Sequence, residues 1–367
     1  MSTAVHQFLP TLAAGDAIGN HVLRVREVLR AAGYDSQIFA DDIHLEVRRQ
    51  ARPYREFKAP AGGSTVMLYH LSTGSPMAAY LAEQADGGRA QLAVYYHNIT
   101  PAEFFGPWEL EAAESMRTAR GQLCKLAGPT RFAMANSTFS EAELRDEGYT
   151  DTCVVPVLVD FSGLDAAADP TTLARLRRTA ARGGAHWLFV GRLAPNKCQH
   201  DVIGAFAAYR ALFDPAARLT LIGGKTSELY RRALEELVCE LDLTDAVELA
   251  DVVTFPVLLA HYRSASVFVS LSQHEGFCVP LLEAMHFGVP VVALAAAAVP
   301  ETVGEAGLLL DGHDPVLVAA AVHRVLTDTG LRQRLVSAGR ERVEHFSRAN
   351  TARRFLDVLE TRMAGVA

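Results

Sequence analysis

The chain has 367 residues, 50% of them hydrophobic and 21% charged, with a formal net charge of −7. That length carries two domains with sizeable cores, and the acidic balance excludes a dedicated nucleic-acid binder, which is basic overall. The five cysteines (Cys124, Cys153, Cys198, Cys239 and Cys278) form no CxxC or Cys/His cluster, so a reducing, cytoplasmic setting is expected, with no disulfide framework and no metal site.

The N-terminus lacks the basic start, apolar run and small-residue cleavage site of a secretion signal. Short apolar runs then alternate with amphipathic stretches, the pattern of parallel α/β architecture. Strands are expected at residues 5–9, 35–39, 65–69, 92–96, 131–135 and 152–155. Residues 21–32 lie between the first two, and Val22, Val25, Val28 and Leu29 recur there at helical spacing. Near 158–180 the pattern dissolves into an Ala/Asp/Pro-rich stretch that reads as a boundary. Beyond it, strands are expected at 186–190, 218–222, 246–249, 267–271 and 289–293, with helices at 201–212, 227–241, 256–263, 280–286 and 315–327. Residues 289–299 are the most apolar stretch and fall far short of the roughly 18–20 residues a transmembrane helix needs, so a soluble or peripheral protein is expected. The fold class is therefore α/β, with two Rossmann-like doubly wound domains over residues 1–165 and 166–345, followed by a helical segment over 346–367.

Two segments carry chemistry. In Gly191-Arg192-Leu193-Ala194-Pro195-Asn196-Lys197-Cys198 a buried strand runs out at the glycine and a helix begins after the lysine. Ligands of open α/β sheets bind at such strand ends, and Arg192 and Lys197, five residues apart, can reach one diphosphate. Asn196 and Cys198 depart from a Walker A loop, and a pair of solvated surface charges is the simpler alternative. In His274-Glu275-Gly276-Phe277-Cys278-Val279-Pro280-Leu281-Leu282-Glu283, the first glutamate lies on a loop after a strand and Pro280 opens a helix. Glu283 is then placed in that helix's first turn, where it either meets vicinal hydroxyls of a sugar or serves the helix terminus.

Together these segments resemble the family 4 glycosyltransferases: Glu275 and Glu283 match the E-x7-E motif, and Arg192 to Lys197 match the diphosphate loop. Leu221-Ile222-Gly223-Gly224, Pro300-Glu301-Thr302-Val303-Gly304, Tyr69-His70-Leu71-Ser72, Tyr96-His97-Asn98 and Gly15-Asp16-Ala17-Ile18-Gly19 are similar to further motifs of the family, the last three to a bacterial polysaccharide-type subgroup. The resemblance implies a GT-B fold, with acceptor binding in the first domain, donor binding in the second and a final helix crossing back to the first. It implies retention of anomeric configuration with no obligatory cofactor or metal. Arg192 and Lys197 would hold the diphosphate, Glu283 the ribose, and Glu275 the donor sugar beside Gly276, Phe277 and Cys278. Gly223 and Thr254 would lie on the nucleotide, and His97 above the sugar. Gly15, Asp16, Gly19, His70 and Ser72 would line the acceptor side.

For Asp16 a helix cap is the equal alternative, for His70 to Ser75 a turn opening a helix, and for Asp41-Asp42 a solvated loop rather than a metal pair. The basic run Arg48, Arg49, Arg52, Arg55 and Lys58 reads as a solvated face, with the inner face of the membrane or a lipid diphosphate as the alternative. A GDP-mannose-like donor and then a UDP-hexose are expected, with a saccharide or lipid-linked acceptor; oligomeric state is not fixed. A nucleotide-sugar 2-epimerase and a non-catalytic nucleotide-sugar-binding protein are the competing readings. Replacement of Lys197 or Glu275 by alanine is expected to lower turnover well over tenfold with the fold intact.

Overall fold

The computed structural model describes residues 4–13, 15–59, 65–88, 90–225 and 227–364. The chain forms two compact units, Met1–Ala102 with Glu111–Val159 and Phe346–Ala367, and Glu103–Leu110 with Asp160–His345.

The first unit is built on seven strands, β1 (Ala4–Leu12), β2 (Ile38–Ile43), β3 (Arg52–Pro53), β4 (Thr65–Leu71), β5 (Gln91–Tyr96), β6 (Thr130–Ala135) and β7 (Thr152–Val154), in the order β3-β2-β1-β4-β5-β6-β7. All pairs are parallel; Phe8 aligns with Phe39 on one side and Tyr69 on the other. The crossovers are α1 (Ala17–Ala31), α2 (Met77–Asp86), α3 (Leu110–Leu126) and α4 (Thr138–Asp146). Strand β4 is buried along its whole length, as a central parallel strand covered on both faces must be. One face packs Phe8, Tyr69 and Tyr96 against Met77 and Leu123, and the other packs Val5, Leu68 and Phe132 against Val25 and Leu29. The chain's last helix, Arg348–Ala364, adds Phe355 and Leu359 to that second face.

The second unit carries a six-stranded parallel sheet of β8 (His186–Val190), β9 (Arg218–Ile222), β10 (Val247–Ala250), β11 (Val267–Ser270), β12 (Val291–Leu294) and β13 (Gly307–Leu310), ordered β10-β9-β8-β11-β12-β13. This is the 3-2-1-4-5-6 order of a doubly wound sheet. Its helices are α5 (Pro170–Ala180), α6 (Gln199–Leu212), α7 (Glu228–Glu240), α8 (Phe255–Tyr262), α9 (Val279–His286), α10 (Val299–Val303), α11 (Pro315–Thr327) and α12 (Thr329–His345). Trp187, Phe206, Tyr230 and Val269 anchor the core. The doubly wound α/β reading therefore holds for both halves, and no described helix is long and apolar enough to cross a membrane.

Several boundaries differ from the expected ones. The units divide at 159/160 instead of 165/166, because Val155, Leu158 and Val159 are buried in the first unit. Strand β2 spans residues 38–43 rather than 35–39: Asp35 makes only an isolated bridge to Ala4, while the exposed Asp42 still pairs with Thr11. Residues 103–110 join the second unit, where Trp108 packs edge-on to Tyr230 at 5.1 Å and its carbonyl accepts a 2.8 Å bond from Ser227.

Candidate active site

In a 3-2-1-4-5-6 sheet the strand order reverses between β8 and β11, and their carboxyl ends splay apart there to open a crevice. The two chemistry-bearing segments are the loops leaving these two strands. The β8 loop turns at Gly191, whose N–H reaches Ile222 O at 2.9 Å, while Leu193 N reaches Gly224 O at the same distance. Gly223 is required by this close approach, since a Cβ there would stand 2.1 Å from Gly191 O. Asn196 then ties the β8 loop to the β11 loop: its side chain donates to His274 O at 3.0 Å and its carbonyl accepts from Gln273 N at 3.0 Å.

The ion pair of Lys197 and Glu275 sits across this junction. The ammonium lies 2.5 and 2.6 Å from the two carboxylate oxygens, and the side chains are 18% and 7% exposed. Arg192, on the same loop, is exposed. The lysine is thus held inward by the carboxylate while the arginine reaches solvent, so an anion arriving at this strand end meets one fixed cation and one adaptable one. The dipole of α6, which starts directly after the loop, adds to the positive potential.

Backbone strain concentrates at the same loops. Cys198 and Cys278, the residues that open α6 and α9, both take left-handed conformations, with φ of 51° and 70°. Non-glycine residues there cost about 1–3 kcal/mol each and persist where the surroundings over-determine them. Each makes the sharp turn from a strand-end loop into a helix. Burial lifts the Cys198 thiol to about 12 and the Cys278 thiol well above its usual range, so neither is a thiolate nucleophile.

Glu283 falls one residue further into the helix than the sequence suggested, because α9 already begins at Val279 and Pro280 is its second residue. Its carboxylate is fixed by Tyr262, which donates to Oε2 at 2.6 Å from the end of α8 and is itself fully buried. Tyr262→Phe removes one donor to a carboxylate without changing shape. It is expected to lose about 1.5–3 kcal/mol of stability in urea unfolding; an unchanged midpoint would show that the bond does not hold Glu283. Gly276 is half-buried and Phe277 buried, with its carbonyl taken by Thr302 at 2.5 Å. Thr254 is exposed at the start of α8, beside Val252.

The first unit gathers a second group of polar side chains at the switch of its own sheet. His97 follows β5, His70 ends β4 and His21 lies on α1; they are 8%, 0% and 0% exposed. His70 Nδ1 and His97 Nε2 are 2.9 Å apart, and His70 Nε2 is 3.0 Å from the Gln7 amide oxygen. Leu158 N–H donates to His21 Nδ1 at 3.0 Å. Burial pulls His97 down to about 3 and the other two well below the usual range, so all three are neutral at pH 7.

One acceptor-side expectation requires correction, and for Asp16 the expected alternative of a helix cap is present. His70 is fully buried with both ring nitrogens engaged, so it lines no open surface. Asp16 is the cap of α1: its Oδ2 accepts from Ile18 N at 3.1 Å and Gly19 N at 3.0 Å. Gly15 is exposed ahead of it, and Gly19 lets the helix approach the end of β1, since a Cβ would meet Ala13 O at 2.8 Å. Ser72 is half-buried, and Ser75 opens α2, its hydroxyl accepting from Met77 N and donating to Asp41 Oδ2. Asp41 and Asp42 are both exposed. Sequence reading missed Tyr262, Asn196 and Gln7; of these only Gln7, a polar residue within an apolar strand, left a local signal.

Residues 179–342 match the model of the family "Glycosyl transferases group 1". The D-inositol 3-phosphate glycosyltransferase of Salinispora arenicola is 35% identical over 240 residues, covering 61% of this chain and 53% of that protein. The Salinispora tropica enzyme of the same name is 36% identical over 239 residues, with 61% and 50% covered. The chain thus spans about half the length of these curated relatives. Among solved structures, Anabaena HepE in complex with UDP and glucose aligns with TM-score 0.77 at 18% identity, over 98% of this chain and 100% of that one. Sucrose-phosphate synthase from Thermosynechococcus elongatus aligns with TM-score 0.76 at 22% identity, over 99% and 100%. Residues 179–342 are thus similar to the group 1 glycosyltransferases, and the chain has the GT-B fold of these solved structures.

Proposed function

We propose that this protein transfers a hexose from a nucleoside diphosphate sugar to a hydroxyl acceptor, with retention at the anomeric carbon. The observation that carries this reading is the Lys197–Glu275 pair at the β8/β11 switch, with Arg192 exposed on the same loop. Glycosyl transfer builds negative charge on the departing diphosphate, and cations already in place there lower the barrier. Lys197 and Arg192 take that role. Glu275 orients the sugar and Glu283, held by Tyr262, receives the ribose hydroxyls. Main-chain atoms around Val252 and Thr254 meet the base, with Gly223 and the 276–278 loop completing the donor site. His97 is the first unit's candidate catalytic residue.

Both carboxylates are already engaged, Glu275 through both oxygens and Glu283 through Oε2. Neither is a free general base or nucleophile, which favours proton acceptance by the leaving phosphate itself over two-carboxylate hydrolase chemistry. The reaction is proposed to need no metal. The nitrogens of His21, His70 and His97 lie within 4.8 Å of one another, and Cys198, His200 and Asp201 form a similar group. However, the His21 Nδ1 lone pair is taken by an N–H, so a metal on Nε2 would demand an imidazolate. The raised Cys198 thiol disfavours the second set.

A GDP-hexose is the first donor candidate, on the N-terminal motifs, and a UDP-hexose the second. A saccharide or lipid-linked saccharide is proposed as acceptor, and the names of the relatives put a phosphorylated polyol beside them. Cytoplasmic action belongs to the same reading, as does contact of the exposed Arg48, Arg49, Arg52, Arg55 and Lys58 with the inner membrane face. The test is release of nucleoside diphosphate from a panel of GDP-, UDP-, ADP- and dTDP-hexoses, with and without EDTA, and with candidate acceptors. The expected result is turnover with one base, insensitive to EDTA, giving a product of retained configuration. Free nucleotide sugar of altered configuration identifies an epimerase, and binding without turnover a non-catalytic protein; either overturns the reading.

A further inference from the structure

His70 is sealed from solvent and Gln7 lies beneath it in β1, so neither can touch a substrate. Yet both are polar, buried and aligned on His97. Strands β1, β4 and β5 are adjacent in the sheet. Gln7 comes from the first, His70 from the second and His97 from the residue after the third, so the three side chains form a row across neighbouring strands.

The hydrogen bonds of this row run in one direction, while the buried Gln7 Nε2 is left without a partner among the described residues. The Gln7 amide oxygen is an acceptor only, so His70 Nε2, 3.0 Å away, carries the proton. A neutral imidazole has one N–H, which leaves His70 Nδ1 as a lone pair. His97 Nε2, 2.9 Å away, must then be the donor, and His97 Nδ1 the remaining lone pair. The rings of His70 and His97 are within 25° of parallel at a centroid distance of 5.2 Å, the spacing of two imidazoles bonded edge to edge. Tyr95 lies flat against both, 5.4 Å from His70 and 4.6 Å from His97, and its hydroxyl is anchored on Val155 O at 2.6 Å. His21 stands edge-on to both rings, at 73° to each. No carboxylate hydrogen-bonds any of the three histidines among the described residues, and the row ends on an amide. Such a row selects a tautomer without stabilising an imidazolium. Only its last member reaches the surface.

We propose that Gln7 and His70 are positioning residues that hold His97 as the neutral Nε2–H tautomer, so that its Nδ1 lone pair is presented to a substrate hydroxyl. The step served, glycosyl transfer, rests on the function proposed above; the tautomer itself does not. Without the amide acceptor, His70 donates through either nitrogen and the constraint on His97 is lost.

The experiment is long-range 1H–15N correlation of the imidazoles at pH 7 in the full chain, with the His97 signals assigned by their disappearance in His97→Asn. The wild type is expected to show His97 and His70 both protonated on Nε2. Gln7→Met, of similar length and without the acceptor, is expected to show a mixture of His97 tautomers. Its kcat for nucleoside diphosphate release should fall about tenfold, the worth of one buried hydrogen bond, with the donor KM within about twofold. Wild-type His97 protonated on Nδ1, or an unchanged His97 tautomer in Gln7→Met, overturns the proposal. The wild-type spectrum decides alone should the variant not fold. Failure of the wild type to turn over any donor counts against the transferase reading and leaves the tautomer result standing.

Discussion

Lys197→Ala is expected to unfold at markedly lower urea concentration than the parent, with a loss of about 3–5 kcal/mol, because it strands a buried carboxylate with no counter-charge. Glu275 is only 6% exposed, and both of its oxygens are bonded to Lys197. On the proposed function the same substitution also removes a cation from the departing diphosphate, so turnover should fall about 10²–10³-fold. A loss of stability is thus expected to accompany the loss of turnover in the alanine variants. A double replacement, Lys197→Met with Glu275→Leu, removes the uncompensated charge and should recover most of the stability while remaining inactive. Urea unfolding of the two single variants and the double variant, alongside donor turnover, separates these effects. A double variant as unstable as the sum of the single ones would show that the pair is not coupled.

Acidification from pH 7 to pH 5 is expected to destabilise the first unit strongly. His21, His70 and His97 are buried as neutral imidazoles, with folded-state pKa values below that of an exposed histidine. Below about pH 6.5 the unfolded chain therefore binds protons that the folded chain refuses, and stability falls as pH falls. For His97 this continues until about pH 3. At pH 5 each such group costs about 2 kcal/mol relative to pH 7. His186, held down to about 4 by burial, adds a similar effect in the second unit. Denaturant unfolding at the two pH values measures the loss, and His70→Gln should reduce it by one histidine's share. Equal stability at pH 7 and pH 5 would contradict neutral burial of these rings.

The parallel strands and the strand-end loops were legible in the sequence because their signals are local: an apolar run, a glycine, then charges at short spacing. Lys197, Glu275 and Glu283 could be placed on loop ends and a helix start from that alone. Helix α3 left little trace, since its buried positions include Ala113 and Ala119 and its apolar stripe is thin. Helix α12 was missed for a related reason, burying only Leu335 and Gly339. The partners that fix the functional side chains were beyond reach. Tyr262 and Glu283 are 21 residues apart, and Gln7 and His70 are 63 apart. No periodicity connects them; the fold does. Asp16 shows the opposite case, a residue whose two readings were equal until its oxygen was found on the first N–H groups of α1.

The most direct test of the account is calorimetric titration of the wild type and of Glu283→Ala with GDP, UDP, ADP and dTDP. Glu283 is half-buried on α9, with its carboxylate bonded to Tyr262 through Oε2. The account predicts that one nucleoside diphosphate binds the wild type and that Glu283→Ala weakens it by about tenfold or more, the worth of hydrogen bonds to a charged group. Failure of all four to bind, or binding unaffected by Glu283→Ala, would contradict the placement of the donor at the β8/β11 switch.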